Sequence, residues 1–555
     1  MKTVNEAQIG GELVVRVMEE FGAKVVFGVP GGQTLSVNNA LYDSSVRFVH
    51  TRHENGAACA ADAWGRLTGE PGICLATTGP GATNLLTGLG GALRDSSPVI
   101  ALIFQNKLPD AGRGDAQESD HELLFSGLCK KYIPVRSASS VVWAMREAYR
   151  TAKTGRPGPV VVDFYRDVVE EQKAVYVHAD PSTYCCMPHC TATESTISAA
   201  VSLINQAKKL TIWIGNGVKL AHAEEEVKQL SRQLKAPVVT TYNAIAALES
   251  DFANLVGPRS RHGSAISRAT IEEADCVLVI GSTLTAISTN RWTLAPKNII
   301  QFDIVPENIG RQYPVEVGVI GDAKLTLQQL SQALTAQGYQ ADSAFLNDIL
   351  VRKAEWKEKV FSGPIADTQA TPVPPIALHA ELSKLLKKNS IFAVDAGNPG
   401  AWTHVTHFPK GITYLKPVNF GNMGFAIPAA IGCKEAQPKR EVIALLGDGS
   451  FGMTMGDLET AAREKLNIII LLVNDSAFGN IKQEELFKTG EERYIGVEFT
   501  DVDYLDVAKG LGCDGVIVRK ASELASAFEQ ARKSDKPFMI EVKLDGSYTV
   551  WPECF

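Results

Sequence analysis

Apolar and polar residues alternate along this chain with two periods, and the change from one to the other marks its elements. Near the start, Ile9, Leu13, Val14, Val17, Met18 and Phe21 recur at helical spacing. A short apolar run from Lys24 to Phe27 then ends in Gly28-Val29-Pro30-Gly31-Gly32, a strand running into a loop. The pattern returns in the runs Ile73 to Thr77, Val99 to Phe104 and Val160 to Phe164. A second series follows at Leu210 to Ile214, Val277 to Ile280 and Gln301 to Ile304. A third comprises Ile391 to Val394, Val442 to Leu446, Ile468 to Val473 and Phe538 to Val542. Short apolar strands alternating with amphipathic helices predict parallel sheets covered on both faces. The expected fold class is therefore α/β, with three doubly wound parallel-sheet domains at 1–175, 193–345 and 376–547. Residues 176–192, with Pro181 and Pro188, and the proline-rich stretch GPIADTQATPVPP read as linkers.

Composition narrows the function. The 555 residues are 45% hydrophobic and carry a net charge of -7, so every domain can bury a core. No basic block marks a nucleic-acid or membrane surface, and no apolar run reaches the length of a membrane span. The N-terminal stretch lacks a signal peptide's apolar core, so a cytoplasmic location is expected. Most of the 10 cysteines sit singly in apolar runs and read as core residues. The cluster Cys185, Cys186, His189 and Cys190 has no second ligand pair nearby and reads as a linker with reduced thiols rather than a zinc site.

Candidate chemistry begins at Gly447-Asp448-Gly449-Ser450, where a buried strand runs into a glycine turn. Such a turn suits a phosphate, and Asp448 suits a hard cation bridging phosphates, although a capped strand–helix turn has the same pattern. Asp475 lies 27 positions later (475 − 448), at the end of the next strand, in Asn474-Asp475-Ser476-Ala477-Phe478-Gly479. Two carboxylates at neighbouring strand ends favour Mg²⁺, with the Ala477 carbonyl available as a third ligand.

This arrangement resembles the signature of thiamine-diphosphate enzymes, whose metal ligands fall on Asp448, Asp475 and the Ala477 carbonyl; asparagine is usual where this chain has Asp475. Thr51-Arg52-His53-Glu54-Asn55-Gly56-Ala57-Ala58 resembles the segment carrying the essential glutamate, here Glu54. A carboxyl group bonded to the aminopyrimidine promotes the proton transfer that activates the cofactor. Thr78-Gly79-Pro80-Gly81-Ala82-Thr83-Asn84 resembles the loop lying against the cofactor, which brings in Pro80 and Asn84. Gly421-Asn422-Met423-Gly424 is similar to the segment whose apolar residue props the bent cofactor, with a core methionine as the alternative reading of Met423. Gly397 and Asn398, together with Gly447, Gly449, Ser450, Phe478 and Gly479, match positions near the diphosphate. The resemblance spans nearly the whole chain and is nearest to the acetolactate synthase group. It implies a pyrimidine-binding first domain, a diphosphate-binding third domain, and a homodimer at minimum, commonly a homotetramer.

The chain also departs from that group. The arginine and paired aspartates of its FAD segment are replaced by Gly281-Ser282-Thr283-Leu284-Thr285, so FAD is not expected. The substrate pocket carries Ala116, Asn480 and Glu484 at usually apolar positions, beside Gln117 and Glu118, and Gln33 replaces an alanine. Polar groups there imply a polar substrate, unless Asn480 and Glu484 only face solvent. The expected reaction is decarboxylation of a 2-oxo acid and ligation of the acyl carbanion to an acceptor. Glu54 would activate the cofactor, while Gln117, Gln33 and His53 would position substrate and move protons; His53 alternatively packs beside the glutamate. The competing functions are a simple 2-oxo acid decarboxylase, a hydroxyketone or aldehyde lyase, and a non-catalytic nucleotide-binding α/β protein.

Overall fold

The computed structural model describes residues 6–186 and 190–550. They form three six-stranded sheets, parallel throughout, plus a small antiparallel pair, Ala7–Ile9 with Lys173–Val175. The first sheet runs Arg47–His50, Val25–Gly28, Gly72–Ala76, Val99–Gln105, Pro159–Tyr165 and Lys131–Val135. The third runs Thr413–Leu415, Ile391–Val394, Val442–Gly447, Ile469–Asn474, Phe538–Lys543 and Asp514–Val518. Both wind in the same order, so the first and third units share a topology. The central sheet has another order, running from Leu255–Pro258 through Val238–Thr240, Leu210–Ile214, Cys276–Ile280 and Ile299–Asp303 to Val317–Ile320.

Each apolar run read as a strand from the sequence lies in an interior strand of its sheet. The strands that the pattern does not announce are chiefly edge strands, such as Arg47–His50, Lys131–Val135 and Asp514–Val518, which keep exposed or half-buried positions. An edge strand is covered less completely than a central one, and the apolar run that would betray it is missing. The boundary expected at 345 falls inside the helix Ala344–Val360, whose Phe345 and Ile349 pack on the central core. The stretch after 175 is also anchored, because the hydroxyls of Tyr176 and Tyr184 both donate to Glu20.

The outer units share one hydrophobic core, and their joint is made by small residues. The helix Glu54–Thr68 is alanine-rich, which favours helix formation and leaves little side-chain bulk. It begins at His53 as N-cap and ends at Gly69 in the left-handed region. Its Ala57, Ala58, Ala60 and Ala61 pack in the core that also holds Ala426, Ile427, Ala429 and Ala430 of the helix Ala426–Ala436. The approach is close enough that a Cβ on Gly432 would lie 2.2 Å from the Ala60 carbonyl oxygen. Across the same joint, Asp457 Oδ1 accepts the Arg52 N–H at 2.8 Å.

Candidate active site

Doubly wound sheets bind ligands where the winding reverses, outside the carboxyl ends of the strands. In the third unit that point lies between Ile391–Val394 and Val442–Gly447. Asn398 and Asp448 follow directly, and Asp475 begins the loop after the next strand, Ile469–Asn474. Asp448 opens the helix Asp448–Thr454 and is buried. Its Oδ1 accepts the Gly449 N–H at 2.8 Å, while Oδ2 is buried without a hydrogen-bond partner among the described residues. Burial and the neighbouring Asp475 charge push its carboxyl up to about 7, and burial pushes Asp475 up to about 6. Such a pair suits a divalent cation and the phosphates it bridges.

The glycines leave room there. A Cβ on Gly479 would sit 2.3 Å from Asp475 Oδ2, and one on Gly449 would meet the Phe478 ring at 2.5 Å. Gly397, at φ +98°, opens the short helix Asn398–Ala401. Asn480 Nδ2 donates to Asn398 Oδ1 at 2.8 Å, so these two loops meet. The loop from Asn474 to Phe478 is held by backbone bonds, Phe478 N–H to the Val497 carbonyl and Phe499 N–H to the Ser476 carbonyl. These bonds fix the course of the backbone on either side of the Ala477 carbonyl. Met423 is half-buried on a turn between Gly421 and Gly424, both left-handed.

In the first unit, Glu54 is buried at the first turn of its helix, where Asn84 Nδ2 donates to its Oε2 at 2.9 Å. A Cβ on Gly81 would approach Glu54 Oε1 at 3.4 Å, so the loop starting at Pro80 lies against that carboxylate. His53 is exposed, and its Nδ1 caps the helix by accepting the Asn55 N–H at 3.0 Å. Gln33 is bonded at both ends, accepting from Thr77 Oγ1 at 2.7 Å and donating to Asn106 Oδ1 at 3.0 Å. Ala116 and Gln117 are exposed, and Gln117 adopts φ +63°. Glu118 turns back to accept the Gly112 and Gly114 N–H groups, which hold its carboxyl low. Glu484 is not simply solvent-facing, because it pairs with Arg261 of the central unit at 3.3 Å and with Lys488 at 2.8 Å.

Sequence reasoning passed over residues that hold this site in shape. Asp395 is buried and accepts from Gly424 N–H, Ala426 N–H and the Ser450 hydroxyl, at 2.9 to 3.0 Å. It ties the Met423 turn to the Asp448 helix, and burial raises its carboxyl to about 6. Its signal was an apolar strand ending in Asp-Ala-Gly, the pattern also seen before Asp448. Asn474 orders the Asp475 loop, with its Nδ2 on buried Glu541 and its Oδ1 accepting the Ser476 N–H. Cys185, Cys186 and Cys190 are free thiols, His189 lies outside the described residues, and no metal cluster is found among the described residues. No helix among the described residues is long and apolar enough to cross a membrane.

Three family models match along the chain: the N-terminal TPP binding domain of thiamine pyrophosphate enzymes at 9–124, their central domain at 197–330, and their C-terminal TPP binding domain at 395–542. Fold, site and these matches define a thiamine-pyrophosphate-dependent enzyme. The chain is 33% identical to an acetolactate synthase large subunit of Corynebacterium glutamicum, over 99% of this chain and 88% of that protein. It is 31% identical to the acetolactate synthase isozyme 2 large subunit of Escherichia coli, over 98% of this chain and 97% of that protein. A probable acetolactate synthase large subunit of Methanocaldococcus jannaschii is also 31% identical, over 97% of this chain and 92% of that protein. The protein belongs to the acetolactate synthase large-subunit family.

Proposed function

We propose that this enzyme decarboxylates a 2-oxo acid and ligates the acyl unit to an acceptor, with thiamine diphosphate and Mg²⁺ as cofactors. The observation that carries the reading is the occurrence together of a helix-start glutamate, bonded to Asn84, and the buried Asp448 and half-buried Asp475 carboxylates set in a glycine cradle. When bound, thiamine diphosphate supplies a carbon nucleophile and an electron sink. Glu54 holds and returns a proton on the pyrimidine side. Asp448, Asp475 and the Ala477 carbonyl hold the metal, and Asn398, Gly449 and Ser450 border the diphosphate. Met423 would support the bound cofactor from the third unit. The first unit, 1–175, takes the pyrimidine and the third, 376–547, the diphosphate.

Asn480 and Glu484 line the acceptor side, with Gln117 on the other wall; a polar 2-oxo acid or hydroxyketone fits such a pocket. The working unit is a homodimer or homotetramer, as exposed apolar residues on the Asp448–Thr454 and Gly479–Thr489 helices support: Met453 is 53% exposed, Ile481 49% and Phe487 61%. FAD is not part of the assembly. In support, the Gly215 and Gly217 N–H groups at the central switch point already bond the Ile280 and Gly281 carbonyls. A cytoplasmic location and small-molecule partners complete the reading. Its test is turnover of a panel of 2-oxo acids, with and without both cofactors and with products identified by mass; release of free aldehyde alone would favour the simple decarboxylase instead.

A further inference from the structure

Behind the loop that carries Pro80 and Asn84 lies a buried polar cluster with no part in the cofactor signature. His121 begins the helix His121–Phe125, which Asp120 caps through the Leu123 N–H. Its side chain is fully buried. Nδ1 lies 3.1 Å from Asp163 Oδ2, and Nε2 lies 3.3 Å from the Gly79 backbone nitrogen. A peptide N–H only donates, so Nε2 is the acceptor. The ring is therefore neutral, with its proton on Nδ1 and donated to Asp163. The same carboxylate oxygen accepts the Tyr132 hydroxyl at 2.5 Å and Gln105 Nε2 at 3.1 Å. With three donors converging on it, this oxygen cannot turn away, and the tautomer of His121 is fixed.

What His121 grips is the meeting point of two loops. Gly79 has φ +55° and ψ −111°, a conformation open to glycine and not to L side chains. A Cβ there would lie 2.2 Å from the Gln117 carbonyl oxygen. Gln117 itself is left-handed and rests on Gly79. A second strut braces the neighbouring residue: Thr77 donates to Gln33, Gln33 to Asn106, and Asn106 Nδ2 to the Ala116 carbonyl at 2.8 Å. Moving the Gly79 peptide therefore moves Gln117 on one side and, through Pro80 to Asn84, the partner of Glu54 on the other.

We propose that His121 is a positioning residue, whose neutral Nε2 anchors the Gly79 peptide and so sets where Gln117 meets the donor substrate. The inference rests on the thiamine-dependent reading of the site. Glutamine and asparagine separate the two bonds of the ring. In H121Q the amide oxygen reaches the position of Nε2 and still accepts the Gly79 N–H. In H121N the amide nitrogen reaches the position of Nδ1 and still donates to Asp163, leaving Gly79 unanswered.

The experiment measures donor kinetics, thiamine diphosphate affinity and thermal midpoint for the wild-type holoenzyme, H121Q and H121N. The expected result is kcat/KM within about threefold of wild type for H121Q and about ten- to a hundredfold lower for H121N, of the order one misplaced positioning contact costs. Cofactor affinity and thermal midpoint should be alike in the two variants. Equal kinetics for both, or losses that track the thermal midpoint, would overturn the role of His121 and leave the cofactor reading intact. A wild-type enzyme without thiamine-dependent turnover would instead overturn the reading beneath it. Should H121Q not fold, a neutron structure of the wild type decides: deuterium on Nδ1 alone is expected, and deuterium on Nε2 overturns the proposal.

Discussion

Asp457 offers a quantitative test of how the outer units are joined. It is 1% exposed, its Oδ1 accepts the Arg52 N–H, and its Oδ2 is buried without a partner among the described residues. A Cβ on Gly56 would meet that Oδ2 at 2.1 Å, so position 56 has no space for a side chain. Burial raises the carboxyl from 3.8 to about 6. The unfolded chain therefore releases this proton first, and between those two values the folded state holds more protons. Stability from this group is complete below the unfolded value, falls as pH rises through the window, and levels off above the folded value. Each pKa unit is about 1.4 kcal/mol, so the full loss is roughly 3 kcal/mol, of which about 1 kcal/mol falls between pH 5 and pH 7. Asp457→Asn keeps the acceptor for Arg52 and removes the titration. Its unpartnered amide nitrogen adds an offset that pH does not change. Urea unfolding of wild type and D457N at both pH values should show the variant gaining about 1 kcal/mol relative to wild type on going to pH 7. A difference that stays flat, or one that runs the other way, would refute the desolvated joint.

Other consequences follow from single contacts. Gly479→Ala places a methyl group 2.3 Å from Asp475 Oδ2, whereas a Cβ on Gly452, on the Asp448–Thr454 helix, meets nothing. Titration of cofactor with Mg²⁺ should show affinity falling tenfold or more in G479A, about 1.4 kcal/mol, and hardly changing in G452A. Glu484→Ala leaves Arg261 without this carboxylate; because the pair is partly exposed, unfolding should change by less than about 1 kcal/mol. Acceptor preference in competition assays should nonetheless shift while cofactor affinity holds, and an unchanged product ratio would remove Glu484 from the pocket.

Much of this molecule was legible because buried parallel strands are nearly continuous apolar runs. Leu210–Ile214 and Ile391–Val394 stand at the limits expected from the sequence, and the turns after the strands displayed Glu54, Asp448 and Asp475. Edge strands such as Thr413–Leu415 were hidden by their brevity and partial exposure. Asp395, His121 and Asp457 were hidden for another reason. Each acts by accepting backbone N–H groups from segments remote in sequence, and no local spacing records such a contact. Gln33 and His53 show the opposite limit: their residue types promised free polar chemistry, yet the structure uses their atoms to hold Thr77, Asn106 and the start of the Glu54 helix.

The central claim is that Glu54 and the Asp448–Asp475 pair serve one thiamine-dependent reaction. The most direct measurement is consumption of 2-oxo acids by the full chain with thiamine diphosphate and Mg²⁺, beside Glu54→Gln under the same conditions. The account predicts cofactor-dependent formation of a ligation product, lowered in E54Q by about a hundred- to ten-thousandfold, the range a positioned proton-transfer group contributes. Turnover that persists without thiamine diphosphate, or that E54Q leaves unchanged, would contradict it.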